Sequence, residues 1–163
     1  MNKVIVIGCP GSGKSTFSRA LSKKVNIPVY YLDMMFWNAD KTSVDRSVLI
    51  ERLQEVFKKD SWIIDGNYGS TMELRIKECD TVVFLDYPLD ICIDGVKQRQ
   101  GKPREDMPWI ATEEDDLEFI DFIKNYNVQS RPKVIELIKK YSNKNIIIFE
   151  NRAQAEEFLA NLK

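Results

Sequence analysis

The junction between Val4-Ile5-Val6-Ile7 and Gly8-Cys9-Pro10-Gly11-Ser12-Gly13-Lys14-Ser15-Thr16 constrains the fold of this chain more than any other stretch. A continuous apolar run of β-branched residues reads as a central strand covered on both faces. The G-x-x-x-x-G-K-S pattern that follows is a phosphate-binding P-loop, which needs a strand before it and a helix after it. Glycines at 8, 11 and 13 permit turns that a side chain would forbid, so the loop N–H groups can converge on phosphate oxygens. Lys14 brings a positive charge to the β- and γ-phosphates, and the Ser15 hydroxyl is a ligand for Mg²⁺. A helix starting near Gly13 adds its positive dipole end. Gly8, Pro10, Gly11, Ser12, Gly13, Lys14, Ser15 and Thr16 are therefore the expected nucleotide-binding residues.

The rest of the chain alternates in the same sense. Lys14–Lys24 reads as a helix, Val29–Leu32 as a strand ending at Asp33, and Val44–Lys59 as a helix with the stripe Leu49, Leu53, Val56 and Phe57. Trp62–Ile64 and Val82–Leu85 read as strands, Leu89–Arg99 as a helix, and Ile146–Phe149 as a fifth strand. The last helix carries Ala155, Phe158, Leu159 and Leu162 on one face. Phe119, Phe122, Ile123 and Tyr126 form one further helical stripe, and Val134, Leu137, Ile138 and Tyr141 another. Alternating βα units predict a three-layer α/β fold with a parallel sheet, and 163 residues suit one domain, 1–163. The segment near 100–112 breaks the rhythm. It holds Gly101, Pro103 and Pro108 with Lys102 and Arg104, directly after Arg99, and is expected to form a mobile, lid-like loop.

Composition removes several classes of chemistry. The chain has no histidine, which excludes His-based acid–base catalysis and His metal sites. Cys9, Cys79 and Cys92 are odd in number and lack metal spacing, so they read as reduced thiols in a cytoplasmic protein. A charged Lys3 and a core-type strand at the start argue against a signal peptide, and no apolar run approaches membrane-spanning length. A net charge of -1 supplies no general attraction to DNA or RNA, so direct DNA binding is not expected.

Phosphoryl transfer needs positioning and positive charge more than covalent help from the protein. Ligands of open parallel sheets bind at the carboxyl ends of strands, and three strand ends carry an acid here: Asp33, Asp65 and Asp86. Asp65 is expected to hold the Mg²⁺ hydration shell, although Asp65-Gly66 is also a good turn pair. Asp33 is placed to orient or deprotonate an acceptor hydroxyl, or to cap a turn. Asp86 reads as structural, running into the cap of the next helix. Arg99, with Lys102 and Arg104 behind it, is placed to neutralise the moving phosphoryl group as a loop closes; Arg131 is a further candidate. Trp37 and Phe36 either wall an acceptor pocket or simply pack. Thr112-Glu113-Glu114-Asp115 reads as a capping box rather than a metal site.

The P-loop, Asp65-Gly66-Asn67-Tyr68 after an apolar strand, Asp86-Tyr87-Pro88 after the next and Arg99 on the following helix resemble the adenylate-kinase-like branch of P-loop kinases. Within it, Trp62–Tyr68 with Leu32-Asp33 and Trp37 is similar to the small bacterial DNA topology modulation proteins, also called adenylate-kinase-related proteins. The resemblance implies a five-stranded parallel sheet in the order 2-3-1-4-5 with a short lid. It implies an ATP site over Gly8–Thr16, Asp65 as the Mg²⁺-side acid, Arg99 as a lid arginine and Arg152 beside the adenine. Two arginines of adenylate kinases are absent. One falls at Gly95, and the arginine of their Asp-Gly-Phe-Pro-Arg motif is missing unless Arg75 substitutes.

The expected activity is an ATP- and Mg²⁺-dependent small-molecule kinase with Lys14, Asp33, Asp65 and Arg99 as its catalytic set and Ser15 and Asp65 on the metal. Two acceptor classes stay open: a nucleoside monophosphate, held by Arg46, Arg52 or Arg75, and a hydroxyl compound facing Asp33. A nucleotide-dependent regulator that binds DNA or a protein partner is the alternative. Asn143-Lys144-Asn145-Ile146 lacks the final Asp of the guanine-reading N-K-x-D pattern, so ATP is expected rather than GTP.

Overall fold

Strands β1 (Lys3–Gly8), β2 (Val29–Tyr31), β3 (Trp62–Asp65), β4 (Thr81–Leu85) and β5 (Asn145–Phe149) pair in parallel in the order β2-β3-β1-β4-β5. This is the order that the resemblance implied. The structure is a computed structural model and describes residues 1–162. β1 lies at the centre, with Val6 opposite Asp65 on one side and Val83 on the other.

The side chains of β1 alternate between two cores, as strand geometry requires. Val4 and Val6 pack with Phe17 and Leu21 of α1 (Lys14–Val25) and with Cys92 and Val96 of α5 (Leu89–Arg99). Ile123 of α6 (Glu113–Gln129) and Ala155 of α8 (Arg152–Asn161) complete that layer. Ile5 and Ile7 point the other way, to Leu49 and Leu53 of α3 (Arg46–Phe57), Ile76 of α4 (Gly69–Glu78) and Val134 of α7 (Arg131–Lys140). All four β1 residues are fully buried. At roughly 1.5–3 kcal/mol per buried aliphatic side chain, this strand anchors both layers.

Three local features differ from the sequence expectation. β2 stops at Tyr31, and Leu32–Phe36 form a short helix, α2, so Asp33 sits in a first helical turn rather than at a strand end. α4 has no clear apolar period in the sequence, because Arg75 stands among the buried residues of its inner face with Thr71, Met72 and Ile76. Asp86 caps no helix; Arg131 donates to both of its carboxylate oxygens, at 2.8 and 2.7 Å. The capping box at Thr112 forms as read, with reciprocal bonds between Thr112 and Asp115.

Candidate active site

At the carboxyl ends of the strands lies a cavity of about 1440 Å³. The loop residues 10–16, Asp33, Asp65, Arg99 and Arg152 all line it. Gly8 lies beneath the cradle instead, where its N–H donates to Asn67 Oδ1 at 2.9 Å and its carbonyl accepts from Asn67 Nδ2. Asn67 thus pins the root of the loop to the turn that follows β3, a tether that residue type alone does not announce.

The loop's shape depends on two close approaches. A Cβ on Gly11 (φ +81°) would meet the Cys92 carbonyl oxygen at 1.9 Å, and one on Gly95 would meet the Gly11 carbonyl oxygen at 2.0 Å. The backbone of α5 therefore packs directly on the loop. Gly95 cannot be an arginine for this reason, which accounts for one of the two departures from adenylate kinases. Gly13, with φ +90°, begins α1 without a side-chain cap, and the first turn of α1 carries no acid. Its unpaired N–H groups and dipole end thus remain available to an anion.

Charge is concentrated within this cradle. Lys14 donates through Nζ to the carbonyls of Gly8 (3.0 Å) and Cys9 (3.1 Å), and burial pulls its pKa down against the attraction of Asp65. Asp65 ends β3 almost fully buried, with Oδ1 unpartnered. Desolvation pushes its carboxyl up to about 6, opposed by Lys14. Asp33 accepts from the Tyr68 hydroxyl at 2.9 Å; desolvation raises its pKa and that bond and Lys14 counter it. Tyr68 reaches it from a left-handed backbone, φ 33°, a strain of roughly 1–3 kcal/mol of the kind that clusters at functional sites. Arg99, at the end of α5, lies over the Phe119 ring at 5.6 Å, with its Nε buried and unpartnered. Burial first, and Arg104 second, lower its pKa to about 10.

The residues between α5 and α6 fold down onto this floor. Ser15 Oγ donates to Asp106 Oδ2 at 2.8 Å, and Arg104 holds both carboxylate oxygens of Asp106. The sequence reading noted only the basic residues of this segment and missed Asp106, whose one signal is its place two residues after Arg104.

Other candidates stand elsewhere. Arg75 is fully buried and donates to the carbonyls of Gly66, Asn67 and Tyr68, so it holds the turn after β3. Arg46 donates to the Ser70 carbonyl and Arg52 to that of Met35. None of the three, nor Arg131, lines the cavity. Trp37 does line it, while Phe36 packs against Tyr68 with ring centres 4.7 Å apart.

The fit to a nucleotide and a cation is good on these grounds: an open N-terminal cradle, a buried lysine, and an orphaned carboxylate oxygen on Asp65 near Ser15. Among the described residues no group of three acidic, cysteine or histidine side chains could hold a metal by itself. A hard cation would complete its oxygen shell from phosphates and water.

A family model described as an AAA domain matches residues 4–121, more than half of the chain. The chain belongs to that family. Curated relatives include the shikimate kinase of Aquifex aeolicus, 27% identical over 116 residues that make up 62% of this chain and 69% of that protein. The cytidylate kinase of Sulfolobus acidocaldarius is 24% identical over 113 residues, 60% of this chain and 61% of the relative. Among solved structures, the shikimate kinase of Bacteroides thetaiotaomicron superposes with a TM-score of 0.59 at 21% identity, covering 98% of this chain and 94% of that one. The solved shikimate kinase shares the fold of this chain, and the curated relatives it resembles are kinases. No helix among the described residues is long and apolar enough to cross a membrane.

Proposed function

We propose that this chain is a single kinase domain, 1–163, that transfers the γ-phosphoryl group of Mg-ATP to a hydroxyl group of a small molecule. One observation carries the choice of acceptor. Asp33 lines the cavity together with Lys14 and Asp65, whereas Arg46, Arg52 and Arg75, the arginines the sequence offered for an acceptor phosphate, are bonded to backbone carbonyls and do not line it. A nucleoside monophosphate facing Asp33 would meet a carboxylate where it needs a cation.

ATP supplies the phosphoryl group when bound, and Mg²⁺ neutralises its charge. The loop 10–16 and Lys14 hold the phosphates, Ser15 and Asp65 hold the cation, and Arg152 lies on the nucleoside side. Tyr68 occupies one oxygen of Asp33 and leaves the other to accept the hydrogen bond, and then the proton, of the acceptor hydroxyl. The raised pKa of Asp33 makes it a stronger base than an exposed aspartate. Arg99 stabilises charge on the transferring group, and the 100–112 segment closes over it as a lid to exclude water. The likeness of Trp62–Tyr68, Leu32-Asp33 and Trp37 to the DNA topology modulation proteins supports membership of that cytoplasmic branch. With a net charge of -1, this reading needs no direct contact with DNA.

The test is a panel of nucleoside monophosphates, nucleosides, hydroxy acids and sugars with labelled ATP. A hydroxy compound should be phosphorylated, and Asp33→Asn should cut kcat by roughly 10²-fold or more with nucleotide affinity unchanged. Transfer to nucleoside monophosphates alone, unaffected by Asp33→Asn, would overturn the acceptor class. Transfer to nothing would favour a nucleotide-dependent regulator.

A further inference from the structure

Asp106 is nearly fully buried although it belongs to a polar connection between two helices. Burying an ion pair such as Arg104–Asp106 carries a desolvation cost, so its position calls for more than packing. Its second partner is Ser15, whose hydroxyl donates to Asp106 Oδ2 at 2.8 Å. A hydroxyl has one proton and two lone pairs. With the proton committed to Asp106, both Ser15 lone pairs are free to face a cation. Arg104 grips both oxygens of Asp106, so the carboxylate cannot swing away.

A second observation points to the same spot. Asp65 Oδ1 is buried and has no hydrogen-bond partner. Asp65, Ser15 and Asp106 line the same cavity, and Asp65 lies close enough to Asp106 for the two charges to repel. Two carboxylates and a hydroxyl thus converge from three separate elements: the end of β3, the first turn of α1 and the segment before α6. A divalent cation relieves the repulsion between the acids and gives the orphaned oxygen a partner.

We propose that Asp106 is a positioning residue for the divalent cation. It orients Ser15, adds the second negative charge at the cation position, and fastens the 100–108 segment to the P-loop. This rests on the kinase reading above and deepens it, because closure of the segment and cation binding become one event. Removing an outer partner of a metal ligand costs ~10–100-fold in metal affinity.

The experiment titrates Mg²⁺ against a non-hydrolysable ATP analogue by calorimetry, in the wild type, Asp106→Ala, Ser15→Ala and the double variant, with folding checked by circular dichroism. Asp106→Ala should raise the Mg²⁺ concentration needed for half-maximal enhancement by ~10–100-fold and leave metal-free analogue binding unchanged. In the Ser15→Ala background the same substitution should add much less, since both act through one hydroxyl. Unchanged Mg²⁺ dependence in Asp106→Ala would overturn the proposal, as would tighter analogue binding without Mg²⁺, which would make Asp106 a competitor of the phosphates. Failure of the wild type to bind the analogue at all would instead overturn the kinase reading. If Asp106→Ala does not fold, hydrogen exchange of the wild type decides. Residues 100–108 should slow with Mg²⁺ and analogue together beyond the analogue alone, and equal protection in both would overturn the proposal.

Discussion

Asp65 is the residue in which burial and charge conflict most. Its carboxyl is pushed up to about 6 because desolvation outweighs the pull of Lys14. Between about pH 4, where an unfolded aspartate titrates, and about pH 6, the folded metal-free protein keeps a proton that the unfolded chain releases. The contribution of Asp65 to stability is therefore fully present below that window and is lost as pH rises through it. Asp65→Asn removes the loss. Melting temperatures recorded with chelator present should show the variant gaining on the wild type from pH 4 to 6 and holding a constant lead above. A pH-independent difference would mean that the carboxyl titrates normally. Lys14 and Arg75 show the same force acting on cations, since burial lowers both. Their uses differ. Lys14 faces the cavity, while Arg75 holds the three carbonyls of the turn after β3.

Helix α5 is the element on which the loop's geometry depends. It brings Cys92 and Gly95 against Gly11, with no room for a Cβ on either glycine. An exposed mid-helix Gly→Ala change stabilises by ~1 kcal/mol. Gly95→Ala should do the opposite here, because its methyl meets backbone rather than a side chain that can move. A loss of ~1–3 kcal/mol is the scale for overpacking, and urea denaturation of the variant measures it. Weakened ATP binding should accompany the loss, since relief of the clash requires Gly11 to shift. Equal or greater stability would show that α5 does not brace the loop. The same contact explains why only Arg99 remains on this helix to face the cavity. α4 makes the complementary point. Its buried Arg75 is held by backbone carbonyls of the preceding turn, so a charged residue on the inner face stabilises the fold while hiding the helix from a periodicity reading.

At the scale of the whole molecule, the cavity draws its walls from both layers and from the end of β3, so a ligand there stabilises the entire fold by mass action. ATP with Mg²⁺ at ~100 times its dissociation constant should add ~2.7 kcal/mol. Lys14→Ala should abolish most of the corresponding rise in melting temperature, because the phosphates lose their nearest cation. A full ligand-induced rise in the variant would remove the P-loop from the nucleotide site. The strand–loop–helix unit was legible from residues 4–21 alone, because it rests on local conformation: a β-branched run, glycines at positive φ, and a helix whose first turn needs an anion. The alternation of apolar runs gave the parallel three-layer sheet, since a strand buried on both faces leaves a continuous apolar signature. Asp33 and Asp65 were legible as acids after strands, though α2 turned one strand end into a helix. What the linear chain left open was the use of each charge. Arg46, Arg52, Arg75, Arg99 and Arg131 are the same residue type in similar local settings. The partner that each guanidinium meets, be it a carbonyl, a carboxylate or the open cavity, is decided across tens of residues by packing. Asp106 is the clearest case. It stands 91 positions from Ser15 in sequence, and only the tertiary fold brings its carboxylate to that hydroxyl.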